Sequence, residues 1–224
     1  MAIDIYPSIL EKTVESFVYQ INNLLPLFNH FQIDFADGVF VDNRTVQLDE
    51  IIEHMAKNPL SAEDKTFEVH LMVENYETEL EKIDQLKKYV NITCVLVSFQ
   101  PLTRHNYIIP NTTYPVGLVL NPEDNVNTSW KTLKIFDTLQ LMTIVPGRQG
   151  NLFVPEVLDK IAELRELGYD GKIILDGAMD DKTLPIILTK KYLQDAICPG
   201  SFFHNENPQA SLNALQTILE EKVA

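Results

Sequence analysis

The stretch His30-Phe-Gln-Ile-Asp-Phe-Ala-Asp-Gly38, HFQIDFADG, decides the fold. Apolar and polar residues alternate along it, as they do in a half-buried strand. One side carries His30, Gln32 and Asp34; the other carries Phe31, Ile33 and Phe35. Two readings compete. In an exposed edge strand the polar side meets water. In a strand buried on both faces those groups must meet a partner such as a metal or a substrate, because an unpaired buried carboxylate is costly.

The chain outside this stretch favours the buried strand. Apolar strand-like runs recur at 3–10, 30–37, 67–73, 92–99, 116–120, 139–145, 172–177 and 195–201. The clearest helical patterns lie between or after them, at 14–25, 79–90, 154–168 and 211–221. In the third of these, Val157, Ile161, Leu164 and Leu167 mark an apolar face, and Gly168 is a stop signal. Eight β-then-α units without a linker or composition break predict a single-domain (β/α)8 TIM barrel over 1–224. A doubly wound sheet would want a phosphate loop after the first strand. The residues there, PSILEKT, hold neither a G-x-G-x-x-G nor a Walker pattern.

Bulk composition narrows the ligand. The 224 residues are 45% hydrophobic and 22% charged, which excludes a disordered chain. The net charge is −14, with pI near 4.7, so nucleic acid and anionic membranes are repelled. An anionic ligand would be held by backbone N–H groups and helix N-termini rather than by a basic patch. No apolar run approaches the roughly 20 residues that span a bilayer. The start, MAIDIYPSIL, lacks the features of a signal peptide. Cys94 and Cys198 both lie in apolar stretches, and a reduced cytoplasmic protein is expected.

In such a barrel function collects at the C-terminal ends of the strands. The first run offers Ser8. The second offers Asp34, then Asp37-Gly38, and the third offers His70 and Met72. The sixth gives Met142 and leads into Pro146-Gly147-Arg148-Gln149-Gly150; the seventh ends in Asp176-Gly177 and the eighth in Gly200-Ser201. Five of the eight glycines fall at these ends, where backbone can approach a ligand closely. Gly177-Ala178 and Gly200-Ser201 fit a phosphate site made of backbone N–H groups, and their clustering favours that over ordinary tight turns. Arg148 is either a phosphate cation or a solvated loop residue.

Asp34, His70 and Asp176 share inward parity. Two carboxylates and an imidazole suit a divalent metal, or acid/base chemistry on opposite faces of a substrate. Each residue alone has a plainer reading: a hydrogen-bonded core histidine for His70, a helix N-cap for Asp176. Asp37, before Gly38, reads best as a turn residue.

The chain resembles the ribulose-phosphate 3-epimerase family. The matching stretches are PSIL (7–10), DFADGVFVDNRT (34–45), VHLMV (69–73), VGLVLNP (116–122), LMTIVPGRQGNLFVPEVLDKIAELREL (141–167), LDGAM (175–179) and PGSFF (199–203). The resemblance implies a (β/α)8 barrel that takes a small-molecule sugar phosphate in carbohydrate metabolism. It implies epimerisation at C3, D-ribulose 5-phosphate to D-xylulose 5-phosphate, through an enediolate, with Asp34 and Asp176 as the acid/base pair. It also implies a divalent metal ion (Zn, Fe, Mn or Co) on two His and two Asp. His70, Asp34 and Asp176 match three of those ligands; the fourth position, a His in the family, is Gln32.

An amide oxygen is a neutral and weaker ligand than imidazole. His30 shares the face but lies about 6.6 Å further down the strand, too deep to substitute. The resemblance also implies contacts with the sugar phosphate at Ser8, His70, Met72, Met142, Gly147, Arg148, Gly150, Gly177, Ala178, Gly200 and Ser201. Further departures are Ala36 for a Met, the altered Gly147-Arg148-Gln149-Gly150-Asn151 loop, Ala178 for a Gly, and Ser98 and Gln100 for a His and a Glu. Three other functions remain open: a C3-epimerase of a ketohexose 6-phosphate, a non-catalytic sugar-phosphate-binding or regulatory homologue, and a decarboxylase. The last is least favoured, because Asp34-Phe-Ala36-Asp37 lacks the Lys that would donate its proton. The resemblance leaves open whether the chain is a homo-oligomer.

Overall fold

The computed structural model describes residues 3–109, 111–146 and 150–223. In chain order the elements are β1 (Asp4–Ile5), β2 (Ser8–Ile9), α1 (Val14–Leu24), β3 (His30–Ala36), α2 (Leu48–Lys57), β4 (Thr66–Met72), α3 (Tyr76–Leu86), β5 (Asn91–Ser98) and α4 (Phe99–Arg104). They continue with β6 (Val116–Leu120), α5 (Val126–Leu133), β7 (Thr138–Met142), α6 (Asp159–Glu166), β8 (Lys172–Asp176), α7 (Thr183–Ile187), β9 (Ala196–Cys198) and α8 (Pro208–Val223). Counting β1 and β2 as one interrupted run, these are eight β-then-α units, the chain order expected of a (β/α)8 barrel.

The chain forms two compact units, Pro7–Gly117 and Leu118–Ala224 with Met1–Tyr6. In the first, β2, β3, β4 and β5 lie side by side and parallel. Every residue of β3 from Phe31 to Ala36 is buried, so HFQIDFA is an interior strand and not an edge. Its apolar side stacks Phe31 on Phe67 of β4, with ring centroids 5.4 Å apart. The register sets Asp34 beside His70 and Gln32 beside Glu68. Helix α1 is capped by Thr13, whose hydroxyl accepts from Ser16 N at 3.2 Å, and it buries Phe17, Ile21 and Leu24.

In the second unit β1, β9, β8 and β7 lie side by side and parallel, and β7 also pairs with β6. The register sets Met142 beside Asp176, and Asp176 beside Cys198.

Two expectations need correction. The first run is not one strand: β1 pairs with β9, whereas β2 pairs with β3. The break falls at Tyr6-Pro7, where proline has no N–H for a ladder. Residues 155–158 form a 3-10 turn ahead of α6 rather than part of one long helix. Helices α2, α4, α5 and α7 carried no clear signal; α4 and α7 have only six and five residues.

Candidate functional site

Asp34 ends the polar side of β3 and is buried among donors from its own unit. Ser8 donates its hydroxyl to Asp34 Oδ2. Gln32 Nε2 donates to Asp34 Oδ1 at 3.0 Å, and His70 Nδ1 lies 3.2 Å from the same oxygen. Ser8, Gln32, Asp34 and His70 are each at most 5% exposed. This answers the cost posed by the polar side: side-chain donors replace water around the buried carboxylate. His30, one layer deeper, bonds Thr66 through Nδ1 at 2.6 Å and faces Glu68 at 3.5 Å.

The same geometry tests the fit to a metal. Neighbouring ligand atoms of a tetrahedral site with bonds of 2.0–2.1 Å sit about 3.3 Å apart. The 3.2 Å between His70 Nδ1 and Asp34 Oδ1 matches that spacing. Gln32 behaves differently, since its amide N–H is turned to Asp34. As oriented, it supports the carboxylate.

Asp176, at the end of β8, is supported by another buried glutamine. Gln140 of β7 donates its Nε2 to Asp176 Oδ2 at 3.0 Å and approaches Met142 Sδ at 3.6 Å. The backbone is pinned as well: Thr143 N and Oγ1 donate to the Asp176 carbonyl at 2.7 and 3.1 Å. Gly177 follows with φ +104, and a Cβ there would lie 2.5 Å from Ile144 Cγ1. Only glycine suits both the conformation and the space. Ala178 also has positive φ, +50, and its carbonyl accepts from Thr183 Oγ1.

The N-cap reading of Asp176 fails. Asp180 instead accepts from Lys182 N and Thr183 N, at 2.9 and 2.8 Å, where α7 begins. The turn reading of Asp37 holds: its carboxylate takes Val39 N, Phe40 N and Glu74 N at 2.8–2.9 Å.

Of the other expected residues, Met72 is buried against Ala36 and Val41. Met142 is buried beside Gln140. Gly150 has φ +81, and Ser201 is exposed at the first position of a 3-10 turn that Gly200 caps. Gly147 and Arg148 lie outside the described residues. Ser98 is buried, with its hydroxyl 3.4 Å from the Leu71 carbonyl. Cys94 and Cys198 are both buried. Among the described residues no helix is long and apolar enough to cross a membrane.

Two supports were missed by sequence reasoning, Gln140 and Thr143. Gln140 could have been found: it interrupts the apolar strand TLQLM on the parity of Met142. Thr143 acts through backbone carbonyls, which leave no pattern in side-chain type.

The ribulose-phosphate 3 epimerase family model matches residues 4–201. A ribulose-phosphate 3-epimerase of Methanocaldococcus jannaschii is 29% identical over 70% of this chain, and the match spans 65% of that protein, just under two thirds of its length. The ribulose-phosphate 3-epimerase of Schizosaccharomyces pombe is 25% identical over 95% of this chain and 92% of its own. Among solved structures, 3-hexulose-6-phosphate synthase from Salmonella typhimurium superposes with a TM-score of 0.64 at 12% identity, covering 99% of this chain and 100% of its own. That likeness places the chain in the TIM-barrel fold class.

Proposed function

Because the chain belongs to the ribulose-phosphate 3-epimerase family, we propose that it is an isomerase that epimerises a ketose phosphate at C3, D-ribulose 5-phosphate to D-xylulose 5-phosphate. In this reading the two compact units act as one (β/α)8 domain. The observation that carries the proposal is the matched state of Asp34 and Asp176. Both are buried at strand ends, and each accepts a hydrogen bond from a buried glutamine amide.

The C3 proton, next to a C2 ketone, is weakly acidic. Epimerisation needs a base on one face and an acid on the other, within hydrogen-bond reach of that carbon. One aspartate removes the proton and the other returns one to the opposite face of the flat enediolate. Gln32 and Ser8 hold the Asp34 carboxylate in one rotamer, and Gln140 holds that of Asp176, so little reorganisation is needed at the moment of transfer. Met72 and Met142 present a polarisable apolar wall to the reacting carbons. Gly177, Ala178, Gly200, Ser201, Gly147, Arg148 and Gly150 take the phosphate, mainly by backbone N–H groups, which suits a protein of net charge −14.

Asp34, His70 and Asp176 are buried residues of metal-ligating type. They would hold a divalent ion (Zn, Fe, Mn or Co), which when bound supplies Lewis-acid polarisation of the C2 and C3 oxygens. Gln32, as a fourth ligand, would have to give up its bond to Asp34 and present its oxygen. That bond favours a second reading, a sugar-phosphate-binding homologue that works without a metal. A ketohexose 6-phosphate would meet the same acid/base pair. A chain with only two cysteines, both buried, fits a reducing, cytoplasmic setting.

The test is incubation with D-ribulose 5-phosphate in D2O, with and without added divalent metal. Deuterium at C3 together with D-xylulose 5-phosphate supports the epimerase. Ligand binding with no exchange under any metal condition supports the non-catalytic reading and sinks the enzyme.

A further inference from the structure

We propose that Asn121 is a further substrate-contacting residue, its side-chain amide hydrogen-bonding a hydroxyl of the ketose phosphate. Asn121 is the first residue after β6. Leu120 pairs with Leu141, and Met142 pairs with Asp176. Asn121 therefore falls level with Met142 and, through it, with the carboxylate of Asp176. In adjacent parallel strands, residues level with one another point to the same face.

The second observation concerns the side chain itself. Asn121 is 4% exposed, yet its Oδ1 has no hydrogen-bond partner among the described residues. A buried acceptor left without a partner is destabilising. A ligand hydroxyl would satisfy it.

The backbone is fixed on both sides of that amide. Asn121 N donates to Asp124 Oδ2 at 2.7 Å, and the Asn121 carbonyl accepts from Lys160 Nζ at 2.8 Å. Lys160 also donates to the Asp124 carbonyl. Burial pushes its ammonium below the usual lysine range, opposed by the nearby carboxylates of Asp124, Glu123 and Glu163. A buried lysine satisfied by two backbone carbonyls is a strut that holds the β6–α5 turn, and Pro122 stiffens it further. The amide is thus presented rigidly, as a group that reads a ligand should be.

This inference rests on the epimerase reading for its ligand, and binding measurements separate the two. Titrate the wild type, Asn121→Ala and Asn121→Asp with D-ribulose 5-phosphate and, separately, with inorganic phosphate, and record thermal melts. For Asn121→Ala the expected result is a 5- to 30-fold weaker affinity for the sugar phosphate, an unchanged affinity for inorganic phosphate, and a melting temperature equal to or above that of the wild type. Asn121→Asp is expected to lose affinity for the sugar phosphate through repulsion from its phosphate. Unchanged sugar-phosphate affinity in Asn121→Ala overturns the inference, and so does a loss shared equally by inorganic phosphate or a lowered melting temperature. A wild type that binds D-ribulose 5-phosphate without epimerising it, with binding still weakened in Asn121→Ala, ends the epimerase reading and keeps this one. A wild type that does not bind it ends both.

Discussion

Asp34 and Asp176 are alike in type and burial but are held in place by different means. Asp34 is held by side chains: Ser8 on one oxygen, Gln32 and His70 on the other. Around Asp176 much of the restraint is in the backbone. Thr143 grips its carbonyl, Gly177 permits the turn beyond it, and the Gln140 amide orients the carboxylate. An acid held by side chains is open to tuning by single substitutions that leave the fold alone. An acid held by a pinned backbone is tied to stability, so changes around it should register first in the melt.

The largest effect should come from the crowded side. His70→Ala removes both a partner of Asp34 and an imidazole suited to a metal. Loss of one such electrostatic group should lower kcat about 100- to 1000-fold, read by a coupled assay for D-xylulose 5-phosphate. Gln32→His sharpens the comparison in the other direction. An imidazole in place of the amide should raise affinity for Zn or Co at least about tenfold, worth about 1.4 kcal/mol, measured by competition with a chelating dye. No gain would mean that Asp34, His70 and Asp176 already saturate the ion.

The two glutamines can be compared directly. Gln32→Leu and Gln140→Leu each remove one donor from a carboxylate, and each should lower kcat roughly 5- to 20-fold, or about 1–2 kcal/mol. Equal losses would show that the amides do the same job for both acids. Gly177→Ala should cost about 1–3 kcal/mol through its left-handed backbone and the contact with Ile144. That lowers the melting temperature by several degrees in a chain of this size. A melt equal to that of the wild type would show the turn beside Asp176 to be pliable.

The fold and the residues of both acids were legible for one reason: strands announce themselves by apolar runs, and period-2 parity says which side chains share a face. That logic picked out Asp34, His70 and Asp176 and left Asp37 as a turn residue. It could not see the break at Pro7, because the run IDIYPSIL stays apolar across a change of partner strand. It also missed α5, whose apolar stripe is only three residues long, Val126, Trp130 and Leu133, with Val126 and Leu133 buried. Of the supports of Asp176, Gln140 lay within reach of the same parity logic, whereas Thr143 was hidden because it acts on carbonyls that every residue type possesses.

The central claim is that Asp34 and Asp176 work on one carbon from opposite faces. The direct measurement is C3 deuterium incorporation and net epimerisation of D-ribulose 5-phosphate in D2O by wild type, Asp34→Asn and Asp176→Asn. The account expects the wild type to form deuterated D-xylulose 5-phosphate and each variant to lose net epimerisation by about 100-fold or more. Epimerisation at the wild-type rate by either variant would contradict it.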